Sequence, residues 1–350
     1  MMDLFAGQHM ALNFALFVLA AAGVWVAGSR LPLYADAIAD RKRIGKAFIG
    51  LVFLAGVTSL PEIVTTLTAS IANKPGLVLG TLFGGITMQT AVLALADAFM
   101  APSALTTFPR KLSSALEATM LALLLALLLA IATVGDVIIV PNLGVGTTAL
   151  GLAYAGVLVI LNRYEGTETW QPVKIPETNE ELVAGLATRE LDEVSLRGLA
   201  LRFAAGSFVI LVCGLILTTT ASALAVQTGL GTSMLGVTLL ALSTSLPEVT
   251  TTFAAVRMGA YTMAISNIFG SNLLMVALVL PADIAFRGGP VLDAIDRTTT
   301  LALVSGLAVT TIFLAGLLIR SPRRVAGMGI DSALVLGGYL LTLIAFYHMT

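Results

Sequence analysis

Two carboxylates inside long apolar stretches are the residues of this chain best suited to chemistry. Glu62 and Glu248 each end the same four-residue segment, Ser-Leu-Pro-Glu, and they lie 186 residues apart. An acidic side chain at the centre of a membrane helix costs about 2.5–3.5 kcal/mol on insertion scales, so a matched pair of them indicates a function. The pair predicts a site that binds cations.

The residues around the two glutamates supply further oxygen atoms. Pro61 and Pro247 have no N–H group, so each deprives a carbonyl about four residues earlier of its helical hydrogen bond. Hydroxyl oxygens precede each glutamate, from Thr58, Ser59, Thr244 and Ser245. A cage made entirely of oxygen suits Na⁺ or Ca²⁺ and disfavours thiophilic metals.

The charge of such a site predicts how ions would compete for it. Two carboxylates close together in a low dielectric do not both stay ionised without bound protons or cations. A single Ca²⁺ neutralises both, whereas Na⁺ or H⁺ must enter in larger number. Mutually exclusive binding, combined with access that alternates between the two sides of a membrane, gives antiport as the working hypothesis.

The composition places these acids in a membrane protein. Hydrophobic residues make up 57% of the 350 residues and charged residues only 11%, with a mean hydropathy of +0.97. These values predict an all-α polytopic membrane protein. The expected partners are the lipid bilayer and the transported cations, with no nucleic-acid partner and no cofactor. Cys213 is the only cysteine, which excludes an intramolecular disulfide and a cysteine-based metal cluster.

Apolar stretches of about 20 residues predict ten transmembrane helices. Their approximate spans are 10–30, 46–72, 76–100, 113–134, 137–162, 198–222, 231–256, 260–284, 298–320 and 330–348. With this count, 16 of the 19 Lys and Arg residues fall on one side of the membrane, as the positive-inside rule requires of the cytoplasmic side. The chain is therefore expected to lie in a prokaryotic-type plasma membrane with both termini extracytoplasmic.

An internal repeat divides the chain into two halves. At the offset of 186 residues, positions 45–97 align without a gap with positions 231–283. Because five helices precede the copy, the second half must enter the membrane in the opposite orientation. We expect a first inverted repeat over 1–162, a cytoplasmic acidic linker over 163–194 and a second inverted repeat over 195–350. Such repeats with interrupted helices are typical of secondary transporters with a midplane site.

Three further acidic residues are expected at the membrane interface rather than in the ion site. Asp97 and Asp283 are equivalent positions of the two repeats and stand near helix ends, where a hydrated position at the membrane interface is expected. Glu117 follows Arg110 and Lys111, and an interfacial ion pair with them is expected rather than a role in ion transfer.

Two motifs resemble those of a known family. Residues 243–248 read Ser-Thr-Ser-Leu-Pro-Glu, and residues 266–272 read Ser-Asn-Ile-Phe-Gly-Ser-Asn. Both resemble the second alpha-repeat of the cation/calcium exchanger superfamily, whose sodium/calcium and calcium/proton members share two inverted repeats. The first repeat keeps residues 56–62 but has Thr81 where the family usually has an asparagine ligand, and Ile86 replaces a second asparagine.

The resemblance implies a function and a set of ligands. It implies a secondary antiporter that exchanges Ca²⁺ for Na⁺ by alternating access. It also implies a midplane site whose metal ligands are Glu62, Glu248, Asn267, Thr81, Thr58, Ser59, Thr244 and Ser245.

Other functions remain as alternatives. A Ca²⁺/H⁺ or other cation/proton antiporter would use the same pair of acids, and a cation channel would pass current without obligatory counter-flow. An enzyme is not expected, because the only histidines are His9 and His348 at the two ends and there is no H-E-x-x-H zinc motif.

Overall fold

The fold is a bundle of long apolar helices. The computed structural model describes residues 7–140, 143–164, 191, 193–228 and 242–349. Within these residues eight helices are long and apolar enough to cross a membrane, and a ninth span consists of two segments bent by 51°. The predicted all-α polytopic membrane fold is therefore confirmed. Most of the predicted acidic linker and the first half of the span 231–256 lie outside the described residues, so the proposed domain limits stay a prediction.

The helices follow the order of the predicted spans. They are α1 (Met10–Lys42), α2 (Lys46–Phe48), a π-helical segment (Ile49–Leu54), α3 (Ala55–Thr58), α4 (Leu60–Ile71), α5 (Pro75–Met100), α6 (Ser113–Val134), α7 (Val145–Tyr164), α8 (Leu196–Gln227), α9 (Leu246–Arg257), α10 (Tyr261–Ala277), α11 (Val279–Ala285), α12 (Arg297–Ile319) and α13 (Ile330–Met349). Large apolar side chains on α1 and α8 are exposed, among them Phe14, Trp25, Leu201 and Phe208, as expected of a surface that faces lipid.

The predicted span 137–162 begins too early. Two short strands, β1 (Ile138–Val140) and β2 (Leu143–Gly144), pair antiparallel before α7 starts. The Asp136 carboxylate accepts hydrogen bonds from the backbone N–H groups of Gly146 (2.7 Å) and Thr147 (3.1 Å). An acidic side chain on these otherwise unpaired amides stabilises a helix N-terminus, which explains why α7 begins where it does.

Both repeats contain the same break in a membrane helix. Ser59 separates α3 from α4 with φ −84° and ψ 6°, and Ser245 precedes α9 with φ −89° and ψ 6°. Pro61 and Pro247 take the second position of the following helix, where the missing N–H group costs no hydrogen bond. The local sequence therefore sets the same backbone break at Ser59 and at Ser245.

Asp97 and Asp283 hold the two repeats together. Asp97 accepts hydrogen bonds from the backbone N–H groups of Leu105 (3.0 Å) and Gly329 (2.8 Å). Asp283 accepts them from Val291 (2.7 Å) and Gly144 (2.9 Å). Gly144 belongs to β2, and Gly329 belongs to a matching hairpin of β3 (Arg324–Val325) and β4 (Met328–Gly329) in the other half. Each aspartate thus binds its own loop and the hairpin of the opposite repeat.

The expectation of hydrated positions for these two aspartates is wrong. Both Asp97 and Asp283 are fully buried. Backbone N–H groups, rather than water, donate hydrogen bonds to their carboxylate oxygens. Without these bonds, burial of the N–H groups and of the carboxylates would cost free energy.

The π-helical segment approaches α10 very closely. A Cβ atom added to Gly270 would lie 2.7 Å from the Cα atom of Leu51 and closer still to the Leu51 carbonyl oxygen. A Cβ atom added to Gly50 would lie 2.7 Å from the carbonyl oxygen of Met263. Backbone atoms cannot move aside as a flexible side chain can, so both positions require glycine.

This close approach predicts that two helical glycines tolerate a methyl group differently. Gly270→Ala should lower the thermal unfolding temperature of the detergent-solubilised protein, because overpacking of this kind costs about 1–3 kcal/mol. Gly156 on α7 is exposed, and no atom of the described residues lies within 4 Å of its added Cβ atom. Gly156→Ala is therefore the control and should not lower the unfolding temperature. Equal unfolding temperatures for the two variants would contradict this account of the packing.

Candidate functional site

The two broken helices bring Glu62 and Glu248 into one buried site. Each glutamate stands in the first turn of the helix that follows the break, α4 or α9, where the helix dipole favours negative charge. Both side chains are 0% exposed. They are close enough for their charges to interact. The equivalent acids of the two repeats therefore meet inside the protein.

Hydroxyl groups connect the two repeats at Glu248. Ser59, from the first repeat, donates a hydrogen bond to Glu248 Oε1 at 3.2 Å. Ser271 on α10 lies 2.6 Å from the Ser59 hydroxyl and donates to the same carboxylate oxygen at 3.4 Å. The nearby Thr58 hydroxyl instead donates to the Ala55 carbonyl of its own helix at 3.2 Å. Glu248 is thus held by the broken helix of the opposite half.

Asn267 is fixed in orientation by two threonines. Its amide nitrogen donates to Thr251 Oγ1 at 3.1 Å and to Thr252 Oγ1 at 3.2 Å. The amide oxygen accepts no hydrogen bond in the described part of the chain. Because the nitrogen is engaged with α9, the oxygen is the atom of this side chain that remains available to a ligand.

Four buried oxygen atoms of the site lack a hydrogen-bond donor from another described residue. They are Glu62 Oε1, Glu62 Oε2, Glu248 Oε2 and Asn267 Oδ1. Buried polar atoms are nearly always paired, so a group of unpaired acceptors indicates a ligand that supplies positive charge. Carboxylate and amide oxygens are the ligands that Ca²⁺ and Na⁺ prefer. Glu62 and Glu248 are the acidic residues of this site, and among the described residues no group of three or more His, Cys, Asp or Glu side chains is placed to hold a metal ion.

The remaining predicted ligands differ in position. Thr58, Thr244 and Ser245 are all buried beside the helix breaks. Thr81 on α5 is only half-buried and hydrogen-bonds to none of the other predicted ligands. The structure therefore groups seven of the eight predicted residues at or next to the two breaks, and among the described residues no hydrogen bond joins Thr81 to them.

Several polar residues near the glutamates were not among the predicted ligands. Ser271 contacts Glu248 directly, and Thr251 orients Asn267. A signal for Ser271 was present, since it stands four residues after Asn267 and so shares its helix face. Asn272 belongs to the same motif but donates to Thr90 Oγ1 at 3.1 Å, which ties α10 to α5.

A cavity of about 500 Å³ opens on the side of the bundle where the Lys- and Arg-rich loops lie. We call it the vestibule. Its lining includes the basic residues Arg43, Lys46, Arg110 and Lys111, together with the acidic residue Asp40. Lys46 also binds the buried carboxylate of Asp36 at 2.8 Å. The vestibule gives solvent access to the N-terminal ends of α2 and α10.

Comparison with known proteins identifies the family. The family described as sodium/calcium exchanger protein matches residues 12–162 and 198–348, which cover both repeats. The chain belongs to this family. The resemblance inferred from the motifs is therefore confirmed, and the protein is an integral membrane cation/calcium antiporter by family rather than an enzyme.

The chain matches several known proteins over nearly their whole length. It is 25% identical to the inner membrane protein YrbG of Escherichia coli strain K12, over 97% of this chain and 98% of that protein. It is 26% identical to the putative antiporter CaxA of Alkalimonas amylolytica, over 91% of this chain and 94% of that protein. The solved structure of the sodium-calcium exchanger NCX_Mj soaked with 10 mM Na⁺ and zero Ca²⁺ has the same fold, with a TM-score of 0.70, 19% identity, and coverage of 96% of this chain and 99% of that one.

The unequal surroundings of the two glutamates predict unequal effects of two equivalent serines. Ser59→Ala should raise the calcium concentration for half-maximal uptake about tenfold, because a hydrogen bond to a charged group contributes about 1.5–3 kcal/mol. Ser245→Ala is the matched control and should have a smaller effect, since no hydrogen bond joins Ser245 to Glu62 in the structure. Initial rates of radioactive calcium uptake in proteoliposomes would measure both. A larger effect of Ser245→Ala would contradict the geometry described here.

Proposed function

We propose that this protein exchanges Ca²⁺ for Na⁺ at the site formed by Glu62, Glu248 and Asn267, with access alternating between the two sides of the membrane. The observation that carries the proposal is the burial of both glutamates in one site with several carboxylate oxygens unpaired. The name of the NCX_Mj exchanger, which shares the fold, supports the choice of ions.

The charge of the site supports competition between the two ions. Glu62 and Glu248 carry two formal charges, which one Ca²⁺ balances, and Asn267 adds an oxygen without a charge. Na⁺ must bind more than once to compensate the same two charges. Thr58, Ser59, Thr244 and Ser245 lie at the helix breaks where additional monovalent ions would find hydroxyl ligands.

A Ca²⁺/H⁺ antiporter is the second candidate. Thr81 supports it, because this residue stands where the family usually has an asparagine ligand, and among the described residues it forms no hydrogen bond with the other proposed ligands. A weaker set of hydroxyl and amide ligands in the first repeat would reduce the number of Na⁺ ions bound. Protons need no such ligands, since each carboxylate binds one directly.

The two proposed glutamates are predicted to be indispensable. Glu62→Gln and Glu248→Gln should each abolish calcium uptake into proteoliposomes, because the site then lacks one of the two charges that balance Ca²⁺. Glu193→Gln is the matched control, because it removes an exposed acid in the segment between the two repeats. This variant should transport calcium normally.

The same proteoliposomes distinguish the counter-ion. At a fixed membrane voltage, an outward Na⁺ gradient should drive calcium uptake in the unsubstituted protein and a proton gradient alone should not. Uptake driven only by the proton gradient would establish the second candidate, and cation current without any counter-flow would establish a channel. Near-normal uptake by both glutamine variants would refute the two-glutamate site.

We also propose that the protein lies in a prokaryotic plasma membrane with both termini extracytoplasmic. The distribution of Lys and Arg supports this orientation. The relative YrbG is named an inner membrane protein, which supports the location.

Cysteine labelling should establish the orientation. In a Cys213→Ala background, which removes the only native cysteine, His9→Cys and His348→Cys should react with a membrane-impermeant maleimide in intact cells. Glu193→Cys should react only after the cells are opened, because it lies in the proposed cytoplasmic linker. The reverse pattern would invert the proposed topology.

A further inference from the structure

The C-terminal end of α1 is tied to the broken helix of the first repeat by an ion pair. Asp36 on α1 is fully buried, and its carboxylate lies 2.8 Å from the ammonium nitrogen of Lys46, the first residue of α2. Asp40, one turn further along α1, lies 3.6 Å from the same nitrogen but is exposed to solvent. In the described part of the chain, Lys46 is the one basic residue that forms an ion pair with Asp36. Separating this pair would leave a buried charge without compensation, which is strongly destabilising.

The middle of α1 packs tightly on the broken helix of the other repeat. A Cβ atom added to Gly28 would lie 2.9 Å from Thr250 Cβ and closer still to the Thr250 hydroxyl oxygen. Thr250 stands on α9, two residues after Glu248. α1 therefore contacts both broken helices: it touches α9 through Gly28 and α2 through Asp36. These two helices carry the two glutamates of the ion site.

A proline lies between the two attachment points of α1. Pro32 has no N–H group, so the carbonyl of Gly28, four residues earlier, lacks its helical hydrogen bond. Sharp kinks in long helices occur mostly at such positions. The two parts of α1 can therefore change their mutual angle more easily than the parts of an uninterrupted helix.

The second repeat keeps the packing contact but not the ion pair. Gly214 on α8 is equivalent to Gly28, and a Cβ atom added to it would lie 3.0 Å from Pro61 Cβ in the broken helix of the first repeat. The positions equivalent to Pro32, Asp36 and Lys46 are Thr218, Ser222 and Thr232. The proline and the ion pair thus occur in one repeat alone, so they are not part of the framework that the two halves share.

The ion pair lies at the wall of the vestibule. Lys46 and Asp40 both line this cavity, whereas none of the proposed calcium ligands is among the described residues of its lining. Glu62 and Glu248 are 0% exposed. The ion site is therefore closed to the vestibule in this arrangement of the helices.

We propose that the Asp36–Lys46 ion pair is a latch, which stabilises the arrangement closed to the vestibule and opens when the ion site faces that side. This inference rests on the proposed antiport function, because alternating access requires the two broken helices to move relative to each other. α1 contacts both of them, so such a movement changes at least one of its two attachments. The contact at Gly28 is short-range packing, which permits sliding, whereas the buried ion pair resists separation.

Calcium affinities measured from the two sides of the membrane test the latch. Asp36→Asn removes the ion pair and should lower the half-saturating calcium concentration on the vestibule side about threefold and raise it on the other side. The reason is that a ligand binds with higher apparent affinity to an arrangement that is more populated. Calcium–calcium isotope exchange in right-side-out and inside-out membrane vesicles gives both values, and vesicles from cells that lack the protein give the background.

Three further variants isolate the ion pair. Lys46→Arg keeps the positive charge and should change both values less than Asp36→Asn does. Asp36→Asn combined with Lys46→Gln should shift the values no further than Asp36→Asn alone, since both substitutions remove the same interaction. Asp40→Asn is the matched control, because it removes the exposed acid beside the same lysine, and it should have little effect.

Two results would overturn the inference. One is that Asp36→Asn leaves both half-saturating concentrations unchanged. The other is that both concentrations change in the same direction, which would indicate a defect in folding or in ion binding rather than a shift between arrangements. Absence of calcium exchange in the unsubstituted protein would instead refute the proposed function itself.

Discussion

The burial of two like charges in one site is the constraint on which this structure depends. Glu62 and Glu248 come from opposite repeats and are both withdrawn from solvent. Removing carboxylates from water costs several kcal/mol for each ion unless a partner compensates the charge. At the site we propose, a bound cation provides that compensation, so ion binding and the mutual arrangement of the two halves would be energetically linked. A ligand that binds one arrangement more tightly than another shifts the population toward it, which is the physical basis of alternating access.

The twofold repeat supplies the framework, and the two halves depart from it at the pair of glutamates. Ser59 and Ser245 adopt the same backbone geometry, and Asp97 and Asp283 pin equivalent hairpins of the opposite half. At the site itself the halves differ, because Glu248 accepts hydrogen bonds from hydroxyl groups while Glu62 accepts none from another described residue. Unequal ligands are consistent with a protein that binds two kinds of cation, since one symmetric cage would offer both ions the same oxygens.

Sequence reasoning succeeded where the determining property is local. The apolar spans, the break before each proline and the repeat itself are all visible within stretches of a few tens of residues. The hairpin before α7 was missed because short strands in an apolar stretch look like the start of a helix. The burial of Asp97 was missed because its partner, Gly329, lies 232 residues away. Ser271 was missed although its motif was recognised, since neither motif nor spacing shows which hydroxyl reaches a carboxylate on another helix.

The amino-acid sequence by itself determined that this is a membrane protein of two related halves with one acid in each break. Hydrophobicity, helix breaking by proline and internal similarity are properties of the residues and their spacing. Only the tertiary structure decided that Ser59 binds Glu248 and that Ser266 binds Glu117, pairs separated by 189 and 149 residues. Such contacts depend on how closely helices pack, and that distance is set by residues such as Gly50 and Gly270, whose role appears only when the opposing backbone is in place.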